Sequence, residues 1–226
     1  LHCSSAASDV YKRQVLEAIP GAELGPLLDI GSSNLVFRTE QQPWIQRSIF
    51  DVAQQRGATV LFCDLKDSPG VDIVADLLSD EGFAQLSAIT PQIVLCCNVL
   101  EHVLDAREFA ARLGALVPVG GRVIVTVPHR YPHHNDPIDT MFRPNVEQAA
   151  SLFAGFAVEQ SAMLKPGNYR QEFARRPLTL FFRHLFRLPV PFLGWSKWKR
   201  SVGKLQYLFR SYEVTALCLR KVERPV

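Results

Sequence analysis

The hydrophobic positions of this 226-residue chain fall into short apolar runs that alternate with amphipathic stretches. Pro26–Ile30 (PLLDI) is an apolar run closed by Gly31 and reads as a buried strand. Pro43–Gln55 follows as a helix, with Pro43 in its first turn and Gly57 at its stop. Ala58–Cys63 reads as a second strand ending at Asp64, and Val71–Val74 as a short third one before Asp76. Ser79–Ala88 is a helix, and Gln92–Cys97 a fourth, wholly apolar strand. From Asp105 to Val117, Ala106, Phe109, Ala110, Leu113, Leu116 and Val117 repeat at i, i+3, i+4, i+7. That spacing predicts a helix with one buried face. Arg122–Val127 is a fifth strand, Asn145–Phe153 a helix, Phe156–Met163 a sixth strand and Tyr212–Leu219 the last.

Strands alternating with helices predict an α/β fold, a doubly wound and mostly parallel sheet with helices on both faces. Ligands of such sheets bind at the carboxyl edge of the strands. Four features fall there: Asp29-Ile-Gly31-Ser-Ser33, Asp64, Asp76, and Asn98–Val103 (NVLEHV). Gly31 lets the backbone turn without a Cβ in the way of a ligand. An acid that ends a second strand can accept both hydroxyls of a ribose. A further acid can accept from an adenine amino group. Taken singly, each acid is as readily a turn former or helix cap.

As an ordered set these residues resemble the class I methyltransferases that use S-adenosylmethionine, in their small-molecule branch. LLDIGSSN stands at the glycine-rich first motif, FCDLK supplies Asp64, and VADLL supplies Asp76 and Leu77. CCNVLEHV and LVPVGGRVIVTVP stand at the fourth-strand and fifth-strand motifs. The resemblance covers about Leu27–Met163. It implies a seven-stranded sheet with the last strand antiparallel. It also implies a cofactor site formed by Asp29, Gly31, Asp64, Asp76, Leu77 and Asn98, bordered by Glu101 and His102. Ser33 and Leu35 occupy positions where the family has further glycines, and the connection from Gly31 to the next helix is long. No G-x-G-x-x-G follows the first strand, which argues against a nicotinamide cofactor.

Pro128–Pro144 (PHRYPHHNDPIDTMFRP) fits neither period and follows the fifth strand, over the same edge. His129, His133 and His134, with Asp136, are candidate catalytic residues, since an alcohol acceptor benefits from a base with the pKa range of His. The alternative is a solvated loop whose histidines cap turns. A metal centre from the same four side chains has usable ligand types. Adjacent His133-His134 and the absence of a helical frame argue against it.

Charge changes the picture at one place. The formal net charge is only +3, yet residues 165–210 hold eleven Lys/Arg against a single acid, Glu172, a net of +10. The remainder is therefore acidic, at −7. The basic segment carries ten aromatics and reads as an insertion before the last strand. Phe181, Phe182, Leu185, Phe186 and Leu188 predict an amphipathic helix. It can pack on the body with its cations outward, lie on an anionic membrane surface, or bind single-stranded nucleic acid. The nucleobase-methylating pattern N/D-P-P-Y/F after the fourth strand is absent, Asn98-Val-Leu-Glu standing there instead. That argues against nucleic acid as the substrate.

Five cysteines without a C-x-x-C pair, mostly in apolar runs, read as buried thiols of a reducing, cytoplasmic setting. No apolar run is long enough to span a bilayer. The chain does not begin with Met, and Asp9–Gln14 (DVYKRQ) resembles the translation of a transposase adapter used in preparing DNA libraries. Residues 1–14 are therefore read as a non-native leader. Residues 15–226 are read as the methyltransferase domain, with the N-terminal helix lost or reduced to Val15–Ile19. The reading that results is methyl transfer from S-adenosylmethionine to a small molecule or a cell-envelope sugar or lipid, on oxygen. The rivals are a non-catalytic scaffold that keeps the cofactor fold and a nucleic-acid methyltransferase.

Overall fold

The computed structural model describes residues 6–133, 138–175, 177–187 and 195–223. Seven strands form one sheet in the order β3-β2-β1-β4-β5-β7-β6. They are β1 (Leu27–Ile30), β2 (Val60–Asp64), β3 (Ile73–Val74), β4 (Ile93–Cys97), β5 (Arg122–Arg130), β6 (Phe156–Leu164) and β7 (Glu213–Lys221). The first five run parallel, and β7 runs antiparallel to both β5 and β6. This is the doubly wound sheet that the alternation of elements predicts.

Side-chain alternation in the central strands feeds two cores. Leu28, Ile30, Val94, Cys96, Val123, Val125 and Val127 point to one. Leu27, Ile93, Leu95 and Ile124 point to the other. Such runs are apolar throughout because parallel strands are covered on both faces. Helices α4 (Asp80–Ser87), α5 (Ala106–Leu116) and α6 (Val146–Ala150) lie over the first core. Each begins where a side chain takes up orphan backbone N–H groups: Ser79, Asp105, and the reciprocal pair Asn145 and Gln148.

The second core is covered by α1 (Ala6–Ala18) and by a helical stretch built from α2 (Pro43–Ile45), a π turn over Gln46–Phe50, and α3 (Asp51–Gln55). The single helix expected over Pro43–Gln55 thus carries one widened turn. Helix α1 is longer than the Val15–Ile19 remnant expected. Tyr11, Val15, Leu16 and Ile19 share one buried face, so the helix runs back across Gln14. The Tyr11 hydroxyl donates to the Gln160 carbonyl at 3.2 Å, and the Arg56 guanidinium donates to the Leu16 and Ile19 carbonyls.

Strand β5 extends three residues past its expected end, through Pro128 and His129 to Arg130. Its pairing with β4 stops at Thr126, while its pairing with β7 continues. Pro128 therefore sits where one side of the strand is an edge and no ladder N–H is missed. Among its described residues the basic insertion holds α7 (Tyr169–Arg175), α8 (Pro177–Arg187) and α9 (Trp195–Leu205), followed by a 3-10 turn over Gln206–Leu208. Tyr169, Leu180, Tyr207 and Tyr212 form a small separate core, with Tyr131 packed against it. Among the described residues the cysteines are free thiols, and no helix is long and apolar enough to cross a membrane.

Gly82 in α4 has no room for a side chain, since a Cβ would lie 2.1 Å from the Asp76 carbonyl oxygen. That neighbour is backbone and cannot swing aside. Gly82→Ala is expected to lose about 1–3 kcal/mol despite the higher helix propensity of Ala. Urea unfolding measures it, and an equal or higher midpoint for the variant would contradict the packing described.

Candidate functional site

The strand order reverses between β1 and β4, and a cleft of about 380 Å3 opens at the carboxyl ends of these strands. Of the residues the sequence nominates, Asp29, Gly31, Asp64, Asn98, Glu101 and His102 line it. Gly31 has φ 76°, and a Cβ there would lie 2.5 Å from Val99 Cγ2. Its own N–H and that of Ser32 both donate to the Cys63 carbonyl, at 2.9 and 3.0 Å. The turn after β1 is thereby pinned to the end of β2.

The turn continues through Ser33, a non-glycine at φ 58°. Its N–H donates to Asp64 Oδ2 at 2.9 Å, and the Lys66 N–H donates to Asp64 Oδ1 at 3.1 Å. One residue that the sequence reading passes over completes this loop. Arg38 is 1% exposed. It donates through Nη1 to the carbonyls of Ser32 at 3.1 Å and Ser33 at 2.8 Å, and through Nη2 to the Gly70 carbonyl at 2.6 Å. Its guanidinium lies 3.7 Å from the Phe62 ring centroid. A π turn over Phe37–Gln41 aims Arg38 back at the loop, which accounts for the long connection after Gly31. The only signal for it in the sequence is the missing glycines at Ser33 and Leu35.

The opposite wall comes from the turn after β4. Asn98 has φ 56°, and its N–H donates to the Thr126 carbonyl at 2.7 Å. Its Oδ1 is buried with no hydrogen-bond partner. Glu101 is 0% exposed, and no other described residue donates a hydrogen bond to its carboxylate oxygens. Burial pushes its carboxyl up to about 8, opposed by its own backbone N–H and by Arg143, with Asp139 adding to the rise. Asp29 is pushed up to about 7, also chiefly by burial, with Lys12 and Arg38 opposing and Asp64 reinforcing. The His102 Nε2 is 3.8 Å from Glu101 Oε1, and its Nδ1 hydrogen-bonds the Ile138 carbonyl. The chain from Ile138 to Arg143 packs here: Thr140 donates through N–H and Oγ1 to the Glu101 carbonyl, and Arg143 pairs with Asp139 at 2.7 Å.

The remaining nominated residues lie elsewhere. Asp76 is exposed, and its Oδ1 accepts from the Leu78 N–H at 2.9 Å in the turn before α4. Leu77 is buried in the core. Neither lines the cleft. His129 is on β5, its Nδ1 3.1 Å from the Arg143 and Pro144 carbonyls, and His133 is exposed; neither lines the cleft. His134 and Asp136 lie outside the described residues. Among the described residues no cluster of side chains is set to hold a metal ion.

No family model matches this chain, and no curated protein matches it in sequence. Solved structures do match in fold. A coclaurine N-methyltransferase bound to N-methylheliamine and S-adenosylhomocysteine superposes with a TM-score of 0.57 at 13% identity, over 94% of this chain and 72% of that one. A sarcosine dimethylglycine methyltransferase candidate from Galdieria sulphuraria gives 0.52 at 10%, over 95% and 85%. A [4+2]-cyclase gives 0.50 at 14%, over 94% and 81%. The chain has the fold of the class I, S-adenosylmethionine-dependent methyltransferases.

Glu101 makes stability depend on pH with a definite sign. From about pH 4.5 to about pH 8 the folded chain holds a proton on Glu101 that the unfolded chain has released. Stability therefore falls as pH rises through that window, because the native state binds more protons. Asp29 adds the same trend from about 3.8 to about 7. Glu101→Gln is expected to flatten the fall and to gain on the wild type as pH rises. Urea unfolding across the window checks it, and parallel curves for the two proteins would contradict it.

Proposed function

We propose that this protein binds S-adenosylmethionine in the cleft at the carboxyl edge of the sheet. It transfers the methyl group to a small molecule or a cell-envelope sugar or lipid, on oxygen. One observation carries the reading: five strand-end residues, Asp29, Gly31, Asp64, Asn98 and Glu101, converge on one cleft where the strand order reverses. Acidic and amide side chains gathered at such an edge suit a ligand with donors and positive charge. S-adenosylmethionine brings both, an ammonium and a sulfonium, and supplies an electrophilic methyl group when bound.

The division of labour follows the positions of the side chains. Each Asp64 oxygen accepts one backbone N–H and keeps a lone pair for a ribose hydroxyl. Asp29, Asn98 and Glu101 face the methionine end. Asp76 and Leu77 are assigned to adenine by the family motif, and that assignment requires the turn after β3 to approach the ligand. Methyl transfer to an alcohol needs alignment, exclusion of water and a proton acceptor. His102 borders the cleft, its Nδ1 donating to the Ile138 carbonyl. The proposed base is one of His129, His133 or His134, helped by Asp136. His129 donates to the Arg143 and Pro144 carbonyls.

A fold shared with a [4+2]-cyclase does not by itself fix methyl transfer, so the test starts at binding. Calorimetric titration with S-adenosylmethionine is expected to show one site. Asp64→Ala is expected to weaken it about tenfold or more, the scale of a lost charge-assisted hydrogen bond. An absence of binding, or equal affinity in the variant, would overturn the cofactor reading and favour a non-catalytic scaffold.

A further inference from the structure

Helix α8 presents an apolar face that the body does not cover. Its Leu180 is buried in the small core with Tyr169, Tyr207 and Tyr212. On the other side of the same helix, Leu178, Phe181, Phe182, Leu185 and Phe186 recur at i, i+3, i+4, i+7, i+8 and form one stripe. Their exposures are 72%, 52%, 49%, 50% and 70%. The rings touch along the stripe, Phe181 edge-on to Phe182 at 5.7 Å and Phe182 stacked with Phe186 at 6.1 Å. Trp195, 57% exposed, opens α9 and stacks on Trp198 at 5.2 Å. A helix of a soluble protein buries such a stripe, and a continuous exposed one marks an interaction surface.

Charge selects the occupant. The segment that bears the stripe carries +10, whereas the rest of the chain carries −7. Pairing two stripes in a dimer would bring two +10 segments together. Single-stranded nucleic acid matches the charge, but Leu178 and Leu185 offer no ring on which a base could stack. An exposed face of Leu and Phe, in a cation-rich segment that also exposes Trp195, is the chemistry of a helix lying in the interface of an anionic bilayer.

We infer that the outward stripe of α8 docks this protein on membranes that contain anionic lipid. The apolar side chains enter the acyl boundary and the cations of the segment meet the headgroups. This surface is separate from the cleft and does not depend on methyl transfer.

The test is flotation of the full chain, without cofactor, with vesicles of phosphatidylcholine alone or of phosphatidylcholine with phosphatidylglycerol. The chain is expected to float with the anionic vesicles only and to detach as salt is raised. The double variant Phe181→Ser, Phe186→Ser is expected to lose about tenfold or more in vesicle affinity. Both rings are exposed, so the variant keeps its fold, which an unchanged thermal midpoint and unchanged S-adenosylmethionine titration verify. Failure to float with anionic vesicles would overturn the inference, as would undiminished flotation of the variant. Wild-type self-association abolished by the variant, or binding of an RNA oligonucleotide in place of vesicles, would overturn it as well.

Discussion

The candidate site depends on one buried cation. Arg38 carries the loop after β1 by donating to the carbonyls of Ser32, Ser33 and Gly70. In a glycine-rich version of such a loop, freedom at positive φ lets the backbone curl around a ligand. Here Ser33 takes positive φ with a side chain attached, which costs conformational energy. Three charge-assisted bonds and a ring beneath the guanidinium offset that cost. Because each donor goes to a different carbonyl, the loop, the π turn and the chain after β2 are fixed relative to one another. Asp64 is oriented in the same act, through the Ser33 N–H.

Burial then does the chemical sorting. The cleft opens at the carboxyl ends of β1 and β4, where the strand order reverses, and residues from both strand ends line it. Asp64, partly open to solvent, is held by two backbone N–H groups. Glu101, wholly buried, is pushed up to about 8, and Asp29 to about 7, in each case chiefly by burial. Their surroundings thus favour the neutral forms of both.

The sheet and its ligand edge were legible because they follow from period and punctuation. Apolar runs of four to six residues, closed by Gly31, Asp64, Asn98 or Pro128, locate the central strands, and one-face spacing locates α5. Gly31, Asp64, Asn98, Glu101 and His102 were legible as strand-end residues, and the cleft gathers them. Arg38 was not, because π turns have no sequence period and a single Arg ahead of Thr39 and Glu40 belongs to no motif. The extension of β5 through Pro128 was hidden because a proline reads as a strand breaker until the neighbouring strand is known to have ended. Asp76 and Leu77 were nominated by motif order alone, and order does not encode that the turn after β3 points Asp76 outward to its own backbone. The insertion was legible as basic and amphipathic. Which face would be covered was not, since Leu180 and its aromatic neighbours differ in position rather than in chemistry.

The central claim is that Arg38, in place of the absent glycines, holds the loop in a form ready for the cofactor. Affinity of an Arg38→Met variant for S-adenosylhomocysteine, with far-ultraviolet circular dichroism to confirm the fold, tests it most directly. The account predicts a loss of about tenfold or more, since Met fills the space over Phe62 but leaves three carbonyls without donors. A folded variant that binds as tightly as the wild type would contradict it.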